Sequence, residues 1–212
     1  MFFSFDGVDG VGKTTQLELF CQWLCDRGEE VVTCRDPGGT RLGETIREIL
    51  LEHSDMTIGP RSEMLLYMTS RAQLVDEVIR PALAKGKTVV SDRFLLANVV
   101  YQGHGGGLEV ETLWQVGRVA TADLLPDLTF LLDMPATESV QRIGREPDRM
   151  EARGTEFMEC VRQGFLVEAG RCEQIVVVDA ARDVQSVHES ICQAAENVIA
   201  AKRHAQSQQE AP

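Results

Sequence analysis

The chain has 212 residues, 43% of them hydrophobic and 25% charged, which suits one packed domain that needs no disulfide staples. A formal charge of −12 argues against a sequence-neutral nucleic-acid binder, which normally shows a basic face, so no nucleic-acid partner is expected, and any phosphate ligand must be held by basic groups gathered locally. No apolar stretch approaches membrane-spanning length, and no basic region precedes an apolar run at the N-terminus, so no membrane partner and no signal peptide are expected and the cytoplasm is the expected location.

In chain order, Phe2–Phe5 reads as a buried strand, followed by a glycine-rich turn and a helix over Lys13–Arg27 with Leu17, Phe20, Cys21 and Leu24 on its apolar face and Gly28 as its stop. Glu30–Arg35 is a second strand. Arg61–Lys85 is a long helical candidate interrupted by Pro81 and ending before Gly86. Thr88–Asp92 is a third strand, His104–Gly107 a loop, Glu109–Ala122 a helix, and Leu128–Asp133 and Ile175–Asp179 two more strands. Val184–Ala201 is the last helix, within a single domain over residues 1–202, and the polar residues 203–212 are expected to be a disordered tail. The strands are continuously apolar rather than alternating, as in a parallel sheet covered on both faces. Strands alternating with helices predict a doubly wound α/β fold with a five-stranded parallel sheet. The six cysteines, Cys21, Cys25, Cys34, Cys160, Cys172 and Cys192, include no Cys-x-x-Cys pair and are expected as buried free thiols.

The turn after the first strand, "GVDGVGKT", fits the pattern G-x-x-x-x-G-K-[ST]. Such a loop aims successive backbone N–H groups at phosphate oxygens, and the helix behind it adds the positive end of its dipole. Gly7 and Gly12 bracket the turn, and Gly10 is expected to keep its middle clear for phosphate. Lys13 is expected on the β- and γ-phosphates and the Thr14 hydroxyl on Mg²⁺. The phosphate-binding set is Gly7, Val8, Asp9, Gly10, Val11, Gly12, Lys13, Thr14 and Thr15. A chance match on an ordinary turn is the alternative, but a strand precedes this loop and an amphipathic helix follows it, as the motif requires.

The motif implies a nucleoside triphosphate and leaves open a kinase, a GTPase-type switch and an ATP-driven motor. The Asn-Lys-x-Asp of a guanine-reading switch is absent. Arg142, Arg145, Arg149 and Arg153 cluster in "QRIGREPDRMEARG" with Gly144, Pro147 and Gly154, as in a mobile arginine-rich lid over residues 142–154 that brings positive charge to a transferring phosphoryl group. A solvated helix with pairs to Glu146 and Glu151 is the alternative. In "VVSDRF" an apolar strand ends in Asp92-Arg93, at the carboxyl edge of the sheet, where Asp92 suits Mg²⁺ and Arg93 an acceptor phosphate; a structural ion pair is the alternative.

Several stretches together resemble one family, the thymidylate kinases: "FDGVDGVGKTTQ", "RDPGGTRLGETIREILL", "SRAQLVDEVIRPALAKGKTVVSDRF", "NVVYQG", "PDLTFLLDMP" and "DRMEARG", in the family's order from Phe2 to about Gly154, with "VVVDAARDVQSVHESI" similar to its last strand and helix. The resemblance implies the P-loop kinase fold and transfer of the γ-phosphoryl of ATP to dTMP with Mg²⁺, usually by a homodimer. The further alternatives are a kinase for another nucleoside monophosphate and a nucleotide-binding switch. By motif, Asp9 would face the acceptor, Arg93 would bind its phosphate, and Arg35 would lie beside the same pocket. Tyr67 would stack on thymine, Arg71 would bond its O4, Asn98 and Gln102 would meet the base edge, and Tyr101 would crowd the sugar's 2′ position. With no arginine among Val8, Asp9, Gly10 and Val11, the resemblance is to the bacterial type that takes its catalytic arginine from the lid: Arg149 matches best, and Arg145 or Arg153 would share the work. The chain departs from the family at Asp6 and Asp36, where glutamate is common, at Phe94, where tyrosine or histidine is common, and at Ala97, which lacks a frequent serine hydroxyl near the base pocket.

Overall fold

Five strands, β1 (Phe2–Asp6), β2 (Val31–Arg35), β3 (Thr88–Asp92), β4 (Leu128–Asp133) and β5 (Ile175–Asp179), form one sheet in the order β2-β3-β1-β4-β5. Every pairing is parallel, with Phe5 of β1 opposite Asp92 of β3 and Phe130 of β4. The structure is a computed structural model that describes residues 1–51, 56–144 and 149–209. The chain leaves β1 for β2 on one side of the sheet and leaves β3 for β4 on the other, so the carboxyl ends of β1 and β3 flank a crevice where α/β sheets bind ligands.

The helices are α1 (Lys13–Cys25), α2 (Arg41–Leu51), α3 (Pro60–Leu74), α4 (Arg80–Ala84), α5 (Leu95–Asn98), α6 (Val110–Thr121), α7 (Ala136–Gln141), α8 (Thr155–Ala169) and α9 (Val184–Gln209). Two apolar clusters cover the sheet. One packs Phe3, Phe5 and Phe130 against Phe20 and Leu24 of α1, Phe165 of α8 and Ile191 of α9. The other packs Phe2 and Val89 against Met68 and Leu74 of α3, Leu95 of α5 and Leu113 of α6. Neighbours in a strand point to opposite faces, so the separation of Phe2 from Phe3 marks a sheet with helices on both sides. The expected doubly wound sheet is the observed one, with strand bounds within one residue of those read from the sequence.

Differences lie in the helices. Pro81 does not break the long helix; a π-helical turn over Val75–Ile79 joins α3 to α4, and the widened ladder absorbs the proline's missing N–H. A second π-helical turn covers Val99–His104, so His104 belongs to that turn and not to a loop. The last helix runs past Ala201 to Gln209. Helices α2, α5, α7 and α8 are additional. Met158, Val161 and Phe165 of α8 have helical spacing and are buried, whereas α7 is too short for periodicity to show. The cysteines are free thiols, but only Cys192 is buried; Cys25 and Cys160 are exposed.

Phe20 is fully buried and contacts Phe3, Phe5 and Phe130 at ring-centroid distances of 5.2, 5.7 and 5.2 Å. Phe20→Ala should therefore cost about 4 kcal/mol of stability in urea unfolding, the usual loss for a truncated core aromatic. A loss under about 1 kcal/mol would show that the helix α1 side of the sheet is loosely packed.

Candidate active site

The loop between β1 and α1 lies at the carboxyl edge of the sheet and lines a cavity of about 750 Å³. Gly12, with φ of 94°, precedes α1, and a Cβ there would meet no atom within 4 Å. Gly10, with φ of 84°, differs from the expectation. A Cβ at Gly10 would lie 2.0 Å from the carbonyl oxygen of Ser139, so Gly10 is needed where α7 passes behind the loop, and Gly12 is the glycine that leaves space on the cavity side.

Lys13 donates from Nζ to the carbonyls of Gly7 (3.1 Å) and Val8 (2.8 Å) and to Asp9 Oδ1 (3.3 Å). Arg93, from the end of β3, donates to the same Asp9 oxygen at 2.5 Å and to the Gly7 carbonyl at 2.9 Å. The Tyr101 hydroxyl lies 3.4 Å from Asp9 Oδ2. Burial pushes the Asp9 carboxyl up, but Arg93 and Lys13 outweigh it and hold the group well below the usual carboxylate range. Burial and Arg93 lower Lys13. Arg93 has φ of 64°, a left-handed conformation unusual for a non-glycine residue. It is held there by Ser91 Oγ on its carbonyl (2.6 Å) and by its own N–H on the Phe5 carbonyl (2.8 Å).

The far wall of the cavity is polar and buried. Arg71 on α3 donates to Asp36 Oδ2 (2.5 Å), to Asn98 Oδ1 (3.0 Å) and to Met68 Sδ (3.1 Å). Asn98 Nδ2 donates to Gln102 Oε1 (2.6 Å), and Gln102 Nε2 to Glu63 Oε1 (2.9 Å). Burial raises the Asp36 carboxyl, against the pull of Arg71. Tyr67 lies one helical turn from Arg71 and also lines the cavity.

The thymidylate kinase family model matches residues 5–191. The chain belongs to the thymidylate kinase family. It is 48% identical over 190 residues to the thymidylate kinase of Rhodopirellula baltica, covering 88% of this chain and 76% of that one. It is 46% identical over 202 residues to that of Pelotomaculum thermopropionicum, covering 93% and 94%. The crystal structure of the thymidylate kinase from Ehrlichia chaffeensis superposes with a TM-score of 0.76 at 28% identity, over 92% of this chain and 97% of that one. The fold is that of the P-loop kinases, and the activity is an ATP-dependent phosphoryl transfer to dTMP, giving dTDP.

The thymidylate kinase cavity gathers Asp9, Gly10, Val11, Gly12, Lys13, Thr14, Thr15, Arg35, Tyr67, Arg71, Asp92, Arg93, Asn98, Tyr101 and Gln102. Gly7 and Val8 contribute the carbonyls under Lys13. Of the lid arginines, Arg142 lines the cavity. Arg149 instead donates to the Leu50 carbonyl at 2.6 Å and to Glu63, and Arg153 stacks on Phe157 at 3.7 Å. Arg145 lies outside the described residues. The lining includes three cations or amides that sequence reasoning did not single out: Arg47, whose Nη1 donates to the Pro37 carbonyl at 2.9 Å, Gln16 and Arg182. Arg47 stands three residues after Glu44 and reads as half of a solvated helical pair; only the packing of α2 on α3 turns it inward.

Asp6, at the end of β1, is fully buried, with both carboxyl oxygens lacking a protein partner among the described residues. Burial pushes its carboxyl up to about 8, against the pull of Arg93 and Lys13. The folded chain then keeps a proton that the unfolded chain releases near 3.8, so the Asp6 contribution to stability is greatest below that pH and is lost as pH rises toward about 8. Asp6→Asn should gain stability relative to the parent between about pH 5 and about pH 8 in urea unfolding. A difference that does not change with pH would put that proton elsewhere.

Proposed function

We propose that this one cavity holds both nucleotides, with the ATP phosphates over the loop from Gly7 to Thr15 and dTMP between Arg93 and the Tyr67–Arg71 face of α3. The observation that carries the reading is the convergence on Asp9: Lys13 from the loop and Arg93 from β3 meet at one carboxylate, so the donor-side and acceptor-side cations already stand together. In this reading Lys13 moves from Asp9 to the γ-phosphate, while Arg93, Arg47 and Arg35 grip the acceptor phosphate. Tyr67 stacks on thymine, Arg71, Asn98 and Gln102 line its edge, and Tyr101, buried beside Asp9, crowds the sugar's 2′ position. A buried polar wall of this kind is favourable only with a base that satisfies it, which makes it a discriminator. Ala180 and Val187, which also line the cavity, supply an apolar rim for the adenine of ATP.

Mg²⁺ fits the donors that are present. The Thr14 hydroxyl lines the cavity, and Asp92 Oδ1 is buried there without a partner among the described residues. Among the described residues no three His, Cys, Asp or Glu side chains form a metal cage, which agrees with a cation held through one carboxylate, a hydroxyl and substrate phosphates. Bound there, Mg²⁺ would neutralise charge on the transferring phosphates. The protein's own part is positioning and fixed positive charge, with little covalent chemistry to do. Arg142 is the lid cation that the geometry favours for this task, since it lines the cavity and Arg149 is bonded elsewhere.

We also propose a homodimer. Leu42 and Ile49 of α2, Leu65 of α3 and Val119 of α6 are exposed, and α3 packs against both α2 and α6, so these apolar side chains lie on adjoining helices. Six free thiols suit a cytoplasmic, reducing location.

Steady-state kinetics with ATP, Mg²⁺ and dTMP test the assignments. Lys13→Ala should lower kcat by about 100-fold, the usual cost of one transition-state donor; near-normal turnover would remove the loop from the chemistry. Arg142→Ala should lower kcat similarly with KM for dTMP little changed, and a larger kcat loss in Arg149→Ala would transfer the lid role to Arg149. Val119→Glu should shift the protein from dimer to monomer in light scattering, and an unchanged mass would move the interface elsewhere.

A further inference from the structure

We propose that Glu63 is a positioning residue that decides which way the base-reading amides of Asn98 and Gln102 point, and so contributes to the choice of base without touching it. The inference rests on the placement of thymine against those two side chains.

Glu63 stands in the first turn of α3, where a glutamate is ordinarily a solvated partner of the helix dipole, and sequence reasoning gives no cause to single it out. Here it is 6% exposed and lies behind the polar wall. Its two oxygens have different partners: Oε1 accepts from Gln102 Nε2 at 2.9 Å, and Oε2 accepts from Arg149 Nη2. The guanidinium of Arg149, anchored on the Leu50 carbonyl at 2.6 Å, supplies the opposite charge that a buried carboxylate requires.

An ionised carboxylate only accepts hydrogen bonds, so Gln102 must turn its NH₂ toward Glu63. That leaves Gln102 Oε1 for Asn98 Nδ2, at 2.6 Å. Asn98 in turn keeps Oδ1 for Arg71 Nη1, at 3.0 Å, and a guanidinium only donates. All three bonds therefore run in one direction, from Arg71 through Asn98 and Gln102 to Glu63. With a pure donor at one end and a pure acceptor at the other, neither amide can turn over without placing donor against donor or acceptor against acceptor. Bonds aligned in this way also polarise one another. Asn and Gln amides are otherwise nearly symmetrical in shape and free to choose either orientation.

The polarity matters because thymine and cytosine have the same outline and reversed edges. Thymine presents an acceptor at O4 and a donor at N3, while cytosine presents an amino donor and a ring acceptor. Amides locked in one orientation favour one pattern, and amides free to turn accept either.

Glu63→Gln tests this. It keeps the size of the side chain but leaves three amides in a row between two pure donors, Arg149 and Arg71, so one bond of the row must be mismatched and Gln102 and Asn98 lose their single favoured direction. The ratio of kcat/KM for dTMP to that for dCMP should fall by about tenfold, the cost of one mismatched buried hydrogen bond, with KM for ATP unchanged. The double variant Glu63→Gln/Gln102→Glu moves the carboxylate one position along, again forces Asn98 to present Nδ2 to it, and should recover much of the selectivity. A ratio unchanged in Glu63→Gln, or a double variant no more selective than the single one, would overturn the proposal. If Glu63→Gln alone does not fold, the double variant decides by itself: selectivity about tenfold below the parent's counts against the proposal. Asn98→Ala separates this inference from the one beneath it. An unchanged KM for dTMP there removes the base from this wall and the proposal with it, whereas a raised KM beside an indifferent Glu63→Gln overturns the role of Glu63 alone.

Discussion

Asp9 places a carboxylate inside an anion-binding loop, where it takes Lys13 Nζ at 3.3 Å and the Arg93 guanidinium at 2.5 Å. Two cations this close in a partly buried cleft would repel one another, and burial already lowers Lys13. The carboxylate offsets that repulsion and draws both cations to a common spot. The carbonyls of Gly7 and Val8 take the remaining Lys13 donors, so the lysine is oriented rather than free. The backbone of Arg93 is fixed separately, by Ser91 Oγ and the Phe5 carbonyl, since a residue in the left-handed region persists only where its surroundings hold it.

That junction exists because of strand order. β1 and β3 are far apart in sequence and adjacent in the sheet, with Phe5 opposite Asp92, so the loop after one and the Asp92-Arg93 pair after the other share a crevice. Packing against α7 then sets the shape of the loop: Gly10 lies so close to the Ser139 carbonyl that no side chain fits, and α7 continues into Arg142 at the cavity wall. The loop, Arg142 and Arg93 are thus held by neighbouring pieces of one edge of the sheet.

On the far wall of the cavity the organising element is a buried hydrogen-bonded chain. Arg71, Asn98, Gln102 and Glu63 are each nearly inaccessible to water, and unmatched polar groups at that depth would be costly. Their mutual satisfaction makes a stiff polar wall out of side chains that are flexible elsewhere. The π-helical turn over Val99–His104 is part of the same construction, because it follows Asn98 directly and carries Tyr101 and Gln102 into the cavity from a single wide turn.

The sheet and the glycine-rich loop after β1 were legible along the chain. Apolar runs of five or six residues bounded by turns are a local signal, and the phosphate loop is a contiguous motif whose chemistry follows from its own backbone, so neither needs knowledge of distant residues. The family resemblance extended this to Tyr67, Arg71, Asn98, Tyr101 and Gln102, all of which line the cavity. The direction in which isolated charges face came from the packing of the helices. Arg47 and Glu63 look like ordinary solvated helix residues in sequence, and helix packing turns both inward. Arg149 and Arg142 stand in one arginine-rich stretch, yet one is bonded to Leu50 and Glu63 and the other lines the cavity. The reason is physical: a hydrophobic pattern is written along the chain at the period of its own helix or strand, but the partner of a charged side chain is set by which elements come to lie beside it.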